Sequence, residues 1–287
     1  MNAYDAAPRS AYGPHSGHNF VFPPPPVSRR PNSGWRGRLG AIWIVAMAVV
    51  AIIASIGVFG IFEHKSGAFR EVFVENFDVP APLGEFPGTS YADTWMSYDG
   101  FGDTSGIGLY KPSEVLSVHD GSLDMYLHTK AGKPLGAAPV PLINGEWGGH
   151  IYGRFTVRFK TDALPGFGAG WLLWPDSNDW NEGEIDFPEG GLDSTIQANQ
   201  HCVGDPEEKC LAVDTGVDFS SGWHTTTIEW TPSGVVYYLD GEVVGKSPES
   251  PSTPMHLVLQ TATNGVKPDA SVAGHVLIDS VTISAWG

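Results

Sequence analysis

Residues 181–190 read NEGEIDFPEG, with four acids in ten positions. Three of them, Glu184, Asp186 and Glu189, stand at spacings of two and three. Carboxylates crowded together push their pKa values apart, so one stays protonated while its neighbour ionises. Hydrolysis of a glycosidic bond uses that division: one carboxyl protonates the leaving oxygen, and the other attacks or activates water. On a strand, side chains alternate, so Glu184 and Asp186 share a face. Glu189 falls on the opposite face of a regular strand, and one inserted residue, a β-bulge, returns it. Pro188 marks the place, because proline lacks the ladder N–H and is tolerated in sheets mainly at edges and bulges. The arrangement predicts Glu184 and Glu189 at the short separation of a retaining enzyme, about 5–5.5 Å. Glu184 is then the nucleophile, Glu189 the acid/base, and Asp186 holds Glu184 and modulates its protonation. A calcium cluster and a solvated acidic edge are the competing readings. Calcium ligands come mostly from loops, with carbonyl groups among them.

The neighbouring residues suit a sugar. Trp171, Trp174 and Trp180 precede the acids and Trp147 comes earlier. Aromatic faces match the apolar C–H face of a pyranose, although each tryptophan taken singly suits a core equally well. Trp180, in the polar stretch PDSNDWNEG, is the one least explained by packing. In TIQANQHC, alternation puts Gln197, Asn199 and His201 on one face, where they line a cleft or an exposed sheet face. His201 next to Cys202 hints at metal, but no second ligand pair follows. Cys202 and Cys210 are the two cysteines of the chain, and in an oxidising compartment they read as a disulfide closing a small loop.

The elements that must carry these groups are strands. In HIYGRFTVRFK, Ile151, Phe155, Val157 and Phe159 fall on one face and the polar residues on the other, the pattern of a half-buried strand. TTTIEWTPSGVVYYLDGEVVG contains three strands, turned at Pro232-Ser233-Gly234 and at the Asp240-Gly241 hairpin. SLDMYLHT, MHLVLQTAT and HVLIDSVTISAW add more, and no long segment has a helical period. Many short strands with Gly and Pro turns predict an all-β jelly-roll sandwich over residues 70–287.

The chain has 32 Asp+Glu against 16 Lys+Arg, a formal −16. Five of the arginines (Arg9, Arg29, Arg30, Arg36 and Arg38) precede residue 39, so the remainder is more acidic still. Such a surface repels phosphate backbones and excludes nucleic acid as a partner. Residues 1–38, with Pro23-Pro24-Pro25-Pro26, read as a disordered tail. Leu39 to Phe62 contains no charged residue and as a helix is roughly 36 Å long, enough for a hydrocarbon core of about 30 Å. The flanking Arg36 and Arg38 predict a cytoplasmic N-terminus, a single membrane-spanning helix at 39–62, a linker at 63–69 and an extracytoplasmic, monomeric domain. A cleaved signal peptide and a secreted protein form the alternative, against which the apolar run exceeds the usual length of roughly 7–15 residues.

With these residues in order, the chain resembles glycoside hydrolase family 16. GEIDFPEG resembles the family signature Glu-x-Asp-x-x-Glu in its bulged form. YGRFTVRFKT resembles the strand before the catalytic hairpin, and GWLLWP with WNEGEID the tryptophan-bearing approach. WHTTTIEWTPSGVVYYLDGEVVG and LIDSVTIS resemble the paired and closing strands. The resemblance implies a concanavalin A-like lectin/glucanase jelly roll with a cleft across its concave sheet. It implies retaining, internal cleavage of a neutral β-linked polysaccharide, a β-1,3- or β-1,4-glucan or a galactan, with the roles given above for Glu184, Asp186 and Glu189. Trp180 and Trp171 match tryptophans near the scissile sugar, and Arg154 matches a substrate contact. No cofactor is implied for catalysis; a structural calcium on the convex face is, near ENFDVP at 75–80. Three rivals remain. A transglycosylase uses the same residues, and a glycan-binding module would lack one of the acids. A polysaccharide lyase would draw on His150, Tyr152 and Arg154, but suits an acidic domain poorly.

Overall fold

The computed structural model describes residues 67–287 except Thr89. The predicted tail, the membrane helix at 39–62 and most of the linker lie outside the described residues. Among the described residues no helix is long and apolar enough to cross a membrane.

The predicted all-β architecture is the observed one. A five-stranded antiparallel sheet runs, in spatial order, Asp205–Asp218, Thr195–Cys202, Glu184–Gly191, Phe167–Pro175 and Met255–Thr263. A ten-stranded sheet faces it, with Gly153–Thr161 between Trp223–Thr231 and Gly274–Trp286 at its centre. The three strands expected from TTTIEWTPSGVVYYLDGEVVG are present as Trp223–Thr231, Gly234–Leu239 and Glu242–Ser247. Asp240 and Gly241 both take positive φ (51° and 88°), the geometry of a two-residue hairpin turn.

The core lies between the sheets. One sheet contributes Phe155, Val157 and Phe159; the other contributes Trp171, Leu173, Ile185, Phe187 and Leu257. Ile151, expected on the same face as Phe155, precedes the strand and is 43% exposed. The register of Glu184–Gly191 follows from this burial. Ile185 and Phe187 are almost fully enclosed, Phe187 edge-on to Tyr237. Slipping the strand by one residue would expose both, at roughly 1.5–3 kcal/mol each, and drive Glu184 and Asp186 into the apolar layer. The acids are thereby held on the outer, concave side of the five-stranded sheet.

A second apolar cluster of Tyr98, Tyr110, Ala138, Val140, Leu172 and Val258 covers that concave side at one end. Leu172 pairs with both Asp186 and Val258 across the sheet, which puts this cluster on the same face as the acids.

Candidate active site

The bulge is where Pro188 placed it. On Glu184–Gly191, Asp186 and Glu189 are three residues apart, yet they pair with Asn199 and Gln197 on one side and with Leu172 and Gly170 on the other. One extra residue therefore lies on the acid-bearing strand. The Phe187–Pro188 peptide within it is cis. Glu184, Asp186 and Glu189 lie opposite His201, Asn199 and Gln197 in turn, so all three acids and all three polar residues of the next strand share the concave face.

Each acid has its own partners. Trp180 Nε1–H donates to Glu184 Oε2 at 2.7 Å. Trp180 opens a short 3-10 helix, Trp180–Glu182, whose N-cap Asp179 accepts from the Asn181 N–H at 3.1 Å. Gly183 then turns the chain into the strand at φ 91°, and a Cβ there would lie 3.2 Å from the His201 carbonyl. Asn199 Nδ2–H donates to Glu189 Oε2, and Lys209 Nζ lies 3.8 Å from the same oxygen. His201 Nδ1–H donates to the Pro206 carbonyl at 2.6 Å. Its Nε2 lies 3.8 Å from Asp186 Oδ2 and 4.0 Å from Glu184 Oε2.

Burial, then the charge of Glu189, pushes the Glu184 carboxyl up to about 7; the bonds from Trp180 and Asp186 oppose the shift. Burial raises Asp186 as well, with the charges of Glu184 and Glu189 adding to it. The contact between Asp186 and Glu184 lowers Glu184 and raises Asp186, the direction that leaves a shared proton on Asp186. With that proton on Asp186, Glu184 carries the negative charge and accepts from both Asp186 and Trp180. A buried, ionised carboxylate fixed by two donors is suited to act as a nucleophile.

The other predicted residues divide. Trp147 and Trp174 pack partly buried against the concave-side cluster, Trp147 edge-on to His256 at 4.1 Å and Trp174 donating to Asn178 Oδ1. Trp171 is a correction: it pairs with Leu259, is fully buried and stands perpendicular to Phe159 in the core, so it cannot touch a ligand in the cleft. Arg154 is a second correction. It projects from the outer face of the ten-stranded sheet, bonded to Glu229 at 2.6 Å and stacked on Phe69. Tyr152 packs on Trp230, so the lyase trio does not assemble. Cys202 and Cys210 form the expected disulfide. In the calcium stretch, Glu75 spends its carboxylate on the Phe77 N–H (2.8 Å) and on Trp95 Nε1 (3.4 Å), which leaves it a poor ligand.

Residues 148–279 match the family model described as Glycosyl hydrolases family 16, and the match contains the bulged acidic strand and its neighbours. The domain belongs to glycosyl hydrolases family 16. Among curated relatives, Crh-like protein 2 of Aspergillus fumigatus is 33% identical over 95 residues, 32% of this chain and 20% of that protein. A beta-glucanase of Paenibacillus polymyxa is 25% identical over 209 residues, covering 71% of this chain and 81% of the relative. The laminarinase from Rhodothermus marinus superposes with a TM-score of 0.61 at 21% identity, over 78% of this chain and all of that structure, and supports the fold.

Within this family 16 domain, two features of the site went unread in the sequence. Lys209 reaches Glu189 from the outer strand Asp205–Asp218, where His201 and Lys209 are paired. The cysteine pair was the available signal, since a staple from 202 to 210 draws Lys209 toward His201. The second is a hydrogen-bonded chain beside Trp147. Asp176 Oδ1 accepts from His256 Nδ1–H at 2.8 Å, and His256 Nε2 accepts from Tyr98 O–H at 3.3 Å. The Asp176 carboxylate sits so close to Gly148 that a Cβ there would come within 2.4–2.6 Å of it. These residues are 158 positions apart in the chain at the extreme, and no local pattern links them.

Proposed function

We propose that the domain is a retaining endo-β-glycoside hydrolase acting on a neutral β-glucan of β-1,3 or mixed β-1,3/β-1,4 linkage. The carrying observation is the bulge that turns Glu184, Asp186 and Glu189 to one face beside Trp180. The curated beta-glucanase relative supports the substrate class. In this reading Glu189 protonates the departing glycosidic oxygen while Glu184 attacks the anomeric carbon and forms a glycosyl ester. Glu189 then takes a proton from water, which displaces Glu184 with a second inversion. Asp186 holds the proton that leaves Glu184 ionised before attack. Trp147, Trp174 and Trp180 offer apolar faces for the sugars flanking the scissile bond. A galactan is the secondary substrate class. The apolar run at 39–62 and its arginine flank support a membrane-anchored protein with this domain outside the cytoplasm.

The test is digestion of β-1,3-glucan, mixed-linkage β-glucan and β-galactan, with the anomer of the first product followed by proton NMR. Net retention is expected, and Glu189→Gln is expected to slow cleavage about 10²–10⁴-fold. A product formed with inversion refutes the assigned roles. Binding of glucan without cleavage of any of the three polymers refutes the enzyme.

A further inference from the structure

The concave face holds a second kind of chemistry. Glu184, Asp186 and His201 each present one ligand atom, and the three atoms lie within 4.8 Å of one another. His201 Nδ1 carries its hydrogen, because its partner, the Pro206 carbonyl, can only accept. Nε2 is therefore the atom turned toward the carboxylates. A histidine with one nitrogen tied to a backbone carbonyl and the other aimed at acids has the outer-shell arrangement of a metal-binding histidine. Asp186 Oδ2 is buried without a hydrogen-bond partner, in a residue only 3% exposed, and it faces this nitrogen. A buried carboxyl oxygen left unbonded costs free energy that a cation would recover, taking the place of the proton on Asp186, which is released to solvent.

We propose that Glu184, Asp186 and His201 bind one borderline transition-metal ion, Zn²⁺ foremost, and that the bound ion shuts the catalytic carboxylates off from sugar. Ligands at about 2.0–2.2 Å from zinc in a tetrahedron stand roughly 3.3–3.5 Å apart. The distances of 3.8 and 4.0 Å from His201 Nε2 require each side chain to close by only about half an ångström. One nitrogen and two carboxylates leave the fourth position open. A site with an imidazole and so few oxygens disfavours Ca²⁺ and Mg²⁺, which take six or more oxygen ligands or keep their waters. Glu189 adds negative charge nearby and Lys209, 3.8 Å from Glu189, offsets it, so the attraction for a cation comes from Glu184 and Asp186 themselves. A metal on Glu184 occupies the lone pairs that would attack the anomeric carbon, and occupancy and turnover exclude each other. The Cys202–Cys210–Glu249 group offers no rival site, since its sulfurs are joined in a disulfide.

The metal-binding half of the proposal stands without the glucanase reading; the inhibition half rests on it. Chelator-treated protein titrated with Co²⁺ is expected to develop a visible d–d spectrum of low-symmetry four-coordination, displaced by one equivalent of Zn²⁺. The His119→Gln/His275→Gln variant, altered at the histidines flanking Asp124 on the other sheet, is expected to keep that spectrum. His201→Gln and Asp186→Asn are each expected to lose it, with a circular dichroism spectrum matching wild type. On β-glucan, Zn²⁺ is expected to inhibit competitively, with an inhibition constant equal to the dissociation constant from titration. A Co²⁺ spectrum unchanged in both His201→Gln and Asp186→Asn overturns the site, as does its absence in wild type. If either variant fails to fold, the competition arm on wild type decides. Zinc that binds without affecting turnover overturns the regulation alone. If no glucan is cleaved, the spectral arm still decides the site.

Discussion

Glutamine at position 184 is expected to remove turnover and to stabilise the fold, and the two effects should separate with pH. Burial and the neighbouring Glu189 raise the Glu184 carboxyl from its ordinary 4.5 to about 7. The folded state thus holds this proton more tightly than the unfolded chain does. Below pH 4.5 the group is protonated in both states and costs nothing. As pH rises through the window from 4.5 to 7, the unfolded carboxyl ionises first, and stability falls progressively. A difference of some 2.5 units at 1.36 kcal/mol each amounts to about 3 kcal/mol by pH 7. The side chain is 13% exposed, and water screens part of that. Glutamine keeps a carbonyl to accept from Trp180 Nε1, and the extra strength that charge lends this bond is already contained in the net shift. Glu184→Gln should therefore be about 2 kcal/mol more stable than wild type at pH 8, a rise in Tm of roughly 4–8 °C for a domain of this size, with no difference at pH 4. Thermal melts followed by circular dichroism from pH 4 to 8 at constant ionic strength measure it. A Tm difference that does not change with pH, or a variant less stable at pH 8, would show that contacts in the cleft fully offset the burial of this carboxylate.

Two further outcomes bear on the hairpin beside the acids. Lys209→Met removes a cation that lowers the proton affinity of Glu184 and Asp186. The acidic limb of the kcat/KM profile on β-glucan should move to higher pH, by less than about one unit given ~1 kcal/mol for a water-screened charge pair near 4 Å. An unmoved limb would mean that solvent screens Lys209 completely. Cys202→Ser with Cys210→Ser opens a loop of eight-residue separation, which should cost about 2–3 kcal/mol and lower Tm by roughly 4–12 °C. Reduction by dithiothreitol should reproduce the shift, and equal melts with and without reductant would argue that the paired strands already supply that restraint.

The strand content was open to a reader of the chain because burial on one face writes itself as a period of two. Phe155, Val157 and Phe159 alternate with Arg154, Thr156 and Arg158, and the structure buries the first set and leaves the second half-buried. The acidic triplet was equally open, since its spacing and Pro188 are local. Tryptophan defeated the same logic. Trp171 and Trp174 sit three residues apart on one strand, and opposite parity sent one to the core and one to the concave side. Parity could have separated them had the sheet face been tied to Asp186 through Leu172. Arg154 was misplaced because its strand does lie in the sandwich, but in the sheet that does not carry the acids.

The sequence alone therefore determined a two-layered β domain, the three acids on one face, the bulge that aligns them and the cysteine pair. Each of those depends on residues within about ten positions of one another, where strand periodicity and backbone chemistry are sufficient. The tertiary structure alone decided which strands flank the acids, that Lys209 reaches Glu189 and the Pro206 carbonyl reaches His201, and that Asp176, His256 and Tyr98 join beside Trp147. Strand order in a sandwich is set by how whole apolar faces bury against each other, and no short stretch of chain encodes that sum.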